Sequence, residues 1–201
     1  MSFVRAIAAL IGRWKLATGM IVVGIAAIIV VAVAAGGGTP GTHSASGSTS
    51  SSGSAQAGGV ATGSAAPDFT VAVLGSSGQH ITLGAQYKNK PVIVNFWASW
   101  CSPCQQETPL LARWYKQQHG TVSLVGLDEN DSETAAEKFA REKGVTYPLG
   151  FDPQTTVAKK YDISGIPQTF FLNAQHRVVD HLYGAVTTAE LAKGVTLMTS
   201  G

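Results

Sequence analysis

Cys101 and Cys104 are the only two thiols in the chain, and they stand two residues apart in Trp100-Cys101-Ser102-Pro103-Cys104. The six residues Val92 to Trp97 (VIVNFW) precede this stretch and are apolar except for Asn95, the composition of a central strand covered on both faces. The residues from Ser102 onward have helix-forming composition, so the pair sits where a buried strand ends and a helix begins. A helix N-terminus offers unpaired amides and a partial positive charge, and both stabilise a thiolate. Cys101 is therefore the expected attacking sulfur. Cys104, one turn further in, is placed to attack a mixed disulfide between Cys101 and a substrate, which releases the reduced substrate and leaves an internal disulfide. Pro103 fits the first helical turn, where its missing amide costs nothing. Three plainer readings stay open on these residues alone. A half zinc site needs two further ligands, and His43, His80, His119, His176 and His181 show no paired spacing. A structural disulfide gains little from closing so short a loop. Two unreactive core thiols would leave the helix start unused.

The elements needed to position the pair can be read around it. Phe69 to Leu74 and Gln79 to Leu83 alternate across Gly75-Ser76-Ser77-Gly78 and predict a leading β-hairpin. A helix is expected from Ser102 to His119, interrupted and kinked at Pro109. Val122 to Leu127 reads as a strand, Ser132 to Lys143 as a helix ended by Gly144, and Thr155 to Tyr161 as a short helix. Thr169 to Leu172 and Val178 to Tyr183 predict an antiparallel pair, with a closing helix from Thr187 to Met198. Strands and helices alternate before a hairpin closes the sheet, so the fold class is α/β with a mixed central sheet flanked by helices.

Upstream of this domain the composition changes twice. Leu16 to Ala35 carries no charge and, as a helix, spans the roughly 30 Å hydrocarbon core of a bilayer. Arg5, Arg13 and Lys15 lie before it, so residues 1–15 are expected on the cytoplasmic side and the rest of the chain outside. The alternative is a cleaved signal sequence, because Ala32-Val33-Ala34 fits a small-residue cleavage site. Residues 36–66 are mostly Gly, Ser, Ala and Thr without charge or aromatic side chains, which predicts a flexible linker reaching on the order of 30 Å. The folded domain is expected over 67–201. The net charge is +2, but the three basic residues before Leu16 account for all of it, and no basic face remains for nucleic acid.

The stretch Val94-Asn95-Phe96-Trp97-Ala98-Ser99-Trp100-Cys101-Ser102-Pro103-Cys104-Gln105-Gln106-Glu107-Thr108-Pro109, together with the later Ser164-Gly165-Ile166-Pro167-Gln168-Thr169-Phe170, resembles the membrane-tethered, TlpA/ResA-like branch of the thioredoxin-fold thiol-disulfide oxidoreductases. Two motifs in the right order make the likeness specific, and it covers roughly Ala66 to Met198. It implies the thioredoxin-like fold, including an inserted segment near Tyr147 to Tyr161. It also implies that Pro167 is a cis-proline facing the cysteines, with the Ile166 backbone and Trp100 beside a bound substrate; an ordinary trans-proline in a turn before a strand is the alternative. Glu107 matches the family's acid after the second cysteine and, one turn from Cys104, is expected to exchange a proton with it. An exposed acid compensating the helix dipole is the alternative for Glu107. Asn95 stands where many cytoplasmic thioredoxins have a buried aspartate, which removes one proton acceptor. The resemblance further implies a monomer without metal or organic cofactor, reducing disulfides in cysteine-containing envelope proteins, apocytochromes c among them, with electrons from a transmembrane donor. Alternatives are a thiol oxidase, a thiol peroxidase (which Ala98, in place of a threonine, disfavours) and a redox-inert binding module. Cys101 is expected to be solvent-exposed and Cys104 buried.

Overall fold

The computed structural model describes residues 60–118 and 120–200. The expected cytoplasmic segment 1–15 and membrane helix 16–35, and nearly all of the expected linker, fall outside these residues. Among the described residues no helix is long and apolar enough to cross a membrane.

Seven strands form one mixed sheet. They are β1 (Thr70–Val73), β2 (His80–Thr82), β3 (Val92–Trp97), β4 (Ser123–Glu129), β5 (Leu149–Asp152), β6 (Gln168–Leu172) and β7 (Val178–Tyr183), in the order β2-β1-β5-β4-β3-β6-β7. The inner three, β5, β4 and β3, are mutually parallel, and every other pairing is antiparallel. The helices are α1 (Leu83–Gln86), α2 (Ser102–Gln117), α3 (Glu133–Glu142), α4 (Thr156–Lys160) and α5 (Thr188–Thr199). α2 and α3 are the crossovers that parallel neighbours require.

All six residues of β3 are buried, so its side chains feed two cores. Val92, Val94 and Phe96 join Val125, Leu127, Phe170 and Tyr161 on one face, with α4 and the leading hairpin. Ile93 and Trp97 point to the other face, toward α2, α3 and α5. This two-sided burial is why β3 reads as a continuous apolar run.

Four features differ from the sequence reading. The second strand of the leading hairpin stops at Thr82, and Leu83 opens the short helix α1 instead of ending that strand. β5 was not anticipated, because Leu-Gly-Phe-Asp is short and follows Pro148. Its Gly150 is required by packing: a Cβ there would stand 2.5 Å from Val71 Cγ1 and 2.8 Å from Leu127 Cδ2. α2 is not interrupted at Pro109 but runs through it; the carbonyl that loses its partner belongs to Gln105, an exposed residue. Ordered pairing also begins before Pro67. Gly63 N donates to Val178 O at 2.7 Å, Val178 N donates to Ser64 O at 3.0 Å, and Ala65 bridges Arg177, so the end of the expected linker lies along the start of β7.

Candidate active site

β3 delivers the chain to the sheet edge at Trp97, and Ala98 to Trp100 turn it into α2. Cys101 is the N-cap of that helix, with extended φ −80° and ψ 110°. Its sulfur accepts the Cys104 amide at 3.2 Å, filling the place that a serine or aspartate oxygen takes in most caps. Cys101 and Cys104 form a disulfide with 5.2 Å between their Cα atoms. The turn is held from outside. Ser99 N donates to Asp131 Oδ2 at 2.6 Å, Trp100 Nε1 donates to Asn130 O at 3.0 Å, and Gln105 Nε2 donates to Ser99 O at 2.8 Å.

The expected difference in exposure between the cysteines is nearly absent. Cys104 is 0% exposed and Cys101 only 4%, so Cys101 is buried rather than solvent-exposed. The cause is the loop before β6: the Ile166 carbonyl oxygen lies 3.7 Å from the Cys101 sulfur, and Ile166 packs on the same cluster as both cysteines. The Ile166-Pro167 peptide bond is cis. Gln168 braces this loop, donating from Nε2 to Gly165 O at 2.7 Å while its Oε1 accepts from His181 Nε2 at 2.9 Å. Gly184 N closes the other side on Pro167 O at 2.9 Å. Trp100 is 57% exposed and turned toward the Asn130 loop, so it flanks the disulfide without roofing it. Beside it opens a groove of about 420 Å³ lined by Trp100, Glu129, Asn130, Lys159, Ser164 and Ile166.

Glu107 is not a surface acid. It is 2% exposed, with Oε1 accepting from Asn95 Nδ2 at 2.8 Å and Oε2 from Val186 N at 2.7 Å. Asn95 also donates to Thr169 Oγ1 at 3.0 Å, linking α2, β3, β6 and the turn before α5 around one carboxyl. Burial pushes Glu107 up to about 7, because the two donated bonds offset only part of the desolvation of the charged form. The group can therefore hold or release a proton near neutral pH.

A second buried acid lies on the same face. Asp128 is the β4 register partner of Trp97 and is 0% exposed. The expected strand stopped at Leu127, one residue short of it. The parts played by Thr169 Oγ1, the Val186 amide, the Asn130 carbonyl and Asp131 Oδ2 also escaped the sequence reading, since only the fold brings each to its partner. Among the described residues no group of three or more His, Cys, Asp or Glu side chains is arranged to hold a metal ion.

The AhpC/TSA family matches residues 62–181. The thiol-disulfide oxidoreductase ResA of Bacillus subtilis strain 168 is 32% identical over 143 residues, which cover 71% of this chain and 78% of that protein. Among solved structures, a DsbF homologue from Corynebacterium diphtheriae superposes with a TM-score of 0.60 at 30% identity, over 65% of this chain and 84% of that one. A secreted thiol-disulfide isomerase from Corynebacterium glutamicum gives 0.58 at 26% identity, over 66% and 84%.

Proposed function

This chain belongs to the AhpC/TSA family of thioredoxin-like proteins and is a thiol-disulfide oxidoreductase, and from that premise we propose that it is an extracytoplasmic disulfide reductase in which Cys101 attacks and Cys104 resolves. The observation that carries the assignment of roles is the Cys104 amide aimed at the Cys101 sulfur from the first turn of α2. That donor and the helix dipole favour negative charge on Cys101. Cys104 has no exposure through which to meet a client.

In the reducing direction the Cys101 thiolate attacks a client disulfide. The client S–S bond breaks, a Cys101 to client bond forms, and one client sulfur leaves and takes a proton. Cys104 then loses its proton and attacks Cys101, so the second client sulfur leaves, the client gains two electrons and the internal disulfide forms. Glu107 is the proton acceptor proposed for Cys104, as a carboxyl poised near neutrality one turn further along α2. The cis loop at Ile166-Pro167 and the groove beside Trp100 would receive the client chain, with Ile166 O next to the reacting sulfur.

Direction follows from charge. Ser102 and Pro103 supply none to the thiolate, Asn95 is neutral, and an ionised Glu107 opposes a second negative group. The couple is therefore expected below roughly −200 mV rather than near the roughly −120 mV of a strong oxidant. The uncharged Leu16 to Ala35 behind a basic N-terminus supports an anchor with the domain outside, where a transmembrane donor would recharge it. Cysteine-containing envelope proteins are the proposed clients, with the apocytochrome c haem-attachment cysteines one class among them. Ala98, buried and without a hydroxyl three residues before Cys101, argues against peroxide as the substrate. Equilibration of the full chain against glutathione tests the direction: a potential below roughly −200 mV supports the reductase reading, and one near −120 mV overturns it.

A further inference from the structure

Asp128 has no part in the exchange described above, yet its surroundings are unusual. Both carboxyl oxygens are sealed from solvent, and neither has a partner in good hydrogen-bonding geometry among the described residues; the same holds for the neighbouring Trp97 Nε1. Trp97 is its register partner on β3 and packs in one cluster with Cys101, Cys104, Ala136 and Phe139. Strand alternation, with Val125 and Leu127 in the opposite core, sends the Asp128 side chain to this same face. A buried carboxylate with no donors is costly, whereas the neutral acid is far less so.

The groups around it do not relieve that cost. Asp131 comes from the following loop, where one oxygen already holds Ser99 and the other Ser132. Glu129 is the next residue of the same strand, buried on the other face. Both disfavour charge on Asp128. β3 contributes Trp97 and β5 contributes Phe151, neither with a charge. α3 contributes Ala136 and Phe139; its cations Lys138 and Arg141 are exposed and paired with Glu142 and Glu137, and Lys143, just past its end, sits over the Phe139 ring. Glu107 is the acid on α2. Desolvation first, then Asp131 and Glu129, push Asp128 up to about 8.

Resting on the assignment of Cys101 as the attacking thiolate, we propose that Asp128 is a second proton-holding residue of the redox site, a positioning group whose neutral carboxyl lets the Cys101 thiolate form and whose ionisation suppresses it. Asp128 is buried beside Trp97, whose cluster holds Cys101, so a negative charge on either group raises the cost of charge on the other. Glu107 answers to Cys104 near neutrality, and Asp128 restrains Cys101 in the more alkaline range. The site then carries two buried acids that lose their protons in sequence.

The test is the rate of Cys101 alkylation by iodoacetamide in the reduced full chain, followed from acid to alkaline pH for wild type, Asp128→Asn and Glu107→Gln. Wild type should rise in a drawn-out curve because ionising Asp128 holds back the last part of the thiolate. Asp128→Asn should complete its rise earlier and exceed wild type severalfold on the alkaline side. Glu107→Gln should keep the alkaline restraint. Superimposed curves for Asp128→Asn and wild type overturn the proposal, while labelling that fails to reach Cys101 in any of the three overturns the underlying assignment instead. Infrared spectroscopy of the Glu107→Gln protein keeps the natural Asp128 and needs no substitution there. A protonated-carboxyl stretch present at neutral pH and lost as the solution becomes alkaline is expected, and its absence at neutral pH overturns the proposal.

Discussion

On the side of the sheet covered by α4 and the leading hairpin, Phe69, Phe96, Tyr161 and Phe170 pack ring on ring at 5.1 to 6.2 Å. One of the buried acids there, Asp152, receives three backbone amides, those of Thr156, Val157 and Ala158, at 2.7 to 2.9 Å. It starts a helix. On the opposite side, near the disulfide, Glu107 receives two donors and Asp128 none in good geometry. Burial is equally complete on both sides, so what separates an anchor from a proton carrier is how many donors meet the carboxyl. The first face holds the fold together, and the second departs from its packing rules at one end, where the chemistry lies.

The sharpest way to break this division is Cys101→Ser. Loss of the only attacking sulfur should remove disulfide reduction, by more than about a thousandfold in an insulin reduction assay, while circular dichroism stays native, because a disulfide closing so short a loop adds little stability. Activity retained within tenfold would mean that the polar face does not hold the chemistry.

Leu172→Ala tests the other face. Leu172 is 0% exposed and pairs with Val92 at the end of the sheet far from the cysteines. Its truncation should cost about 2–5 kcal/mol in urea unfolding. The glutathione potential of the folded variant should match wild type. A shifted potential would show that the two faces are not independent.

Glu107→Gln separates them by pH. The folded-state value is raised from 4.5 to about 7, so the native state prefers the protonated form. Wild-type stability should therefore be highest below about pH 4.5 with respect to this group and decline as pH rises to about 7, by up to about 3 kcal/mol. Glutamine should flatten that part of the profile. An unchanged decline in the variant would assign it elsewhere, with Asp128 the next candidate.

The smallest effect belongs to Trp100→Ala. With its ring 57% exposed, stability should change by no more than about 0.5 kcal/mol. Exchange with a folded protein disulfide should slow severalfold, and exchange with oxidised glutathione much less. Equal slowing on both would remove Trp100 from client binding.

The placement of the cysteines at a strand-to-helix junction was legible because apolar burial, helix-start chemistry and the two-residue spacing all act within one stretch of chain. The cis bond at Ile166-Pro167 came from family likeness as much as from the local loop sequence before a strand, and His181 and Gln168, which brace it, gave no local signal. β5 was hidden because Gly150, demanded by the close approach of Val71 and Leu127, reads as a strand breaker in isolation. The buried polar network failed for a related reason. Asn95 is visible as the polar residue in an apolar strand, but its bond to Thr169 reaches across 74 residues of chain, and the Val186 amide that completes the network on Glu107 lies 79 residues from that acid. The exposure of Cys101 was misjudged because the loop that covers it lies 65 residues away.

The central claim is that Cys101, capped by the Cys104 amide, makes the mixed disulfide. It is tested most directly by mixing reduced Cys104→Ser and Cys101→Ser proteins, each a full chain, with a disulfide-bonded peptide and following the adduct by intact mass and peptide mapping. The account predicts that Cys104→Ser accumulates a stable adduct on Cys101 and that Cys101→Ser forms one at least tenfold more slowly. Adduct formation at equal rates in both, or faster through Cys104, would contradict it.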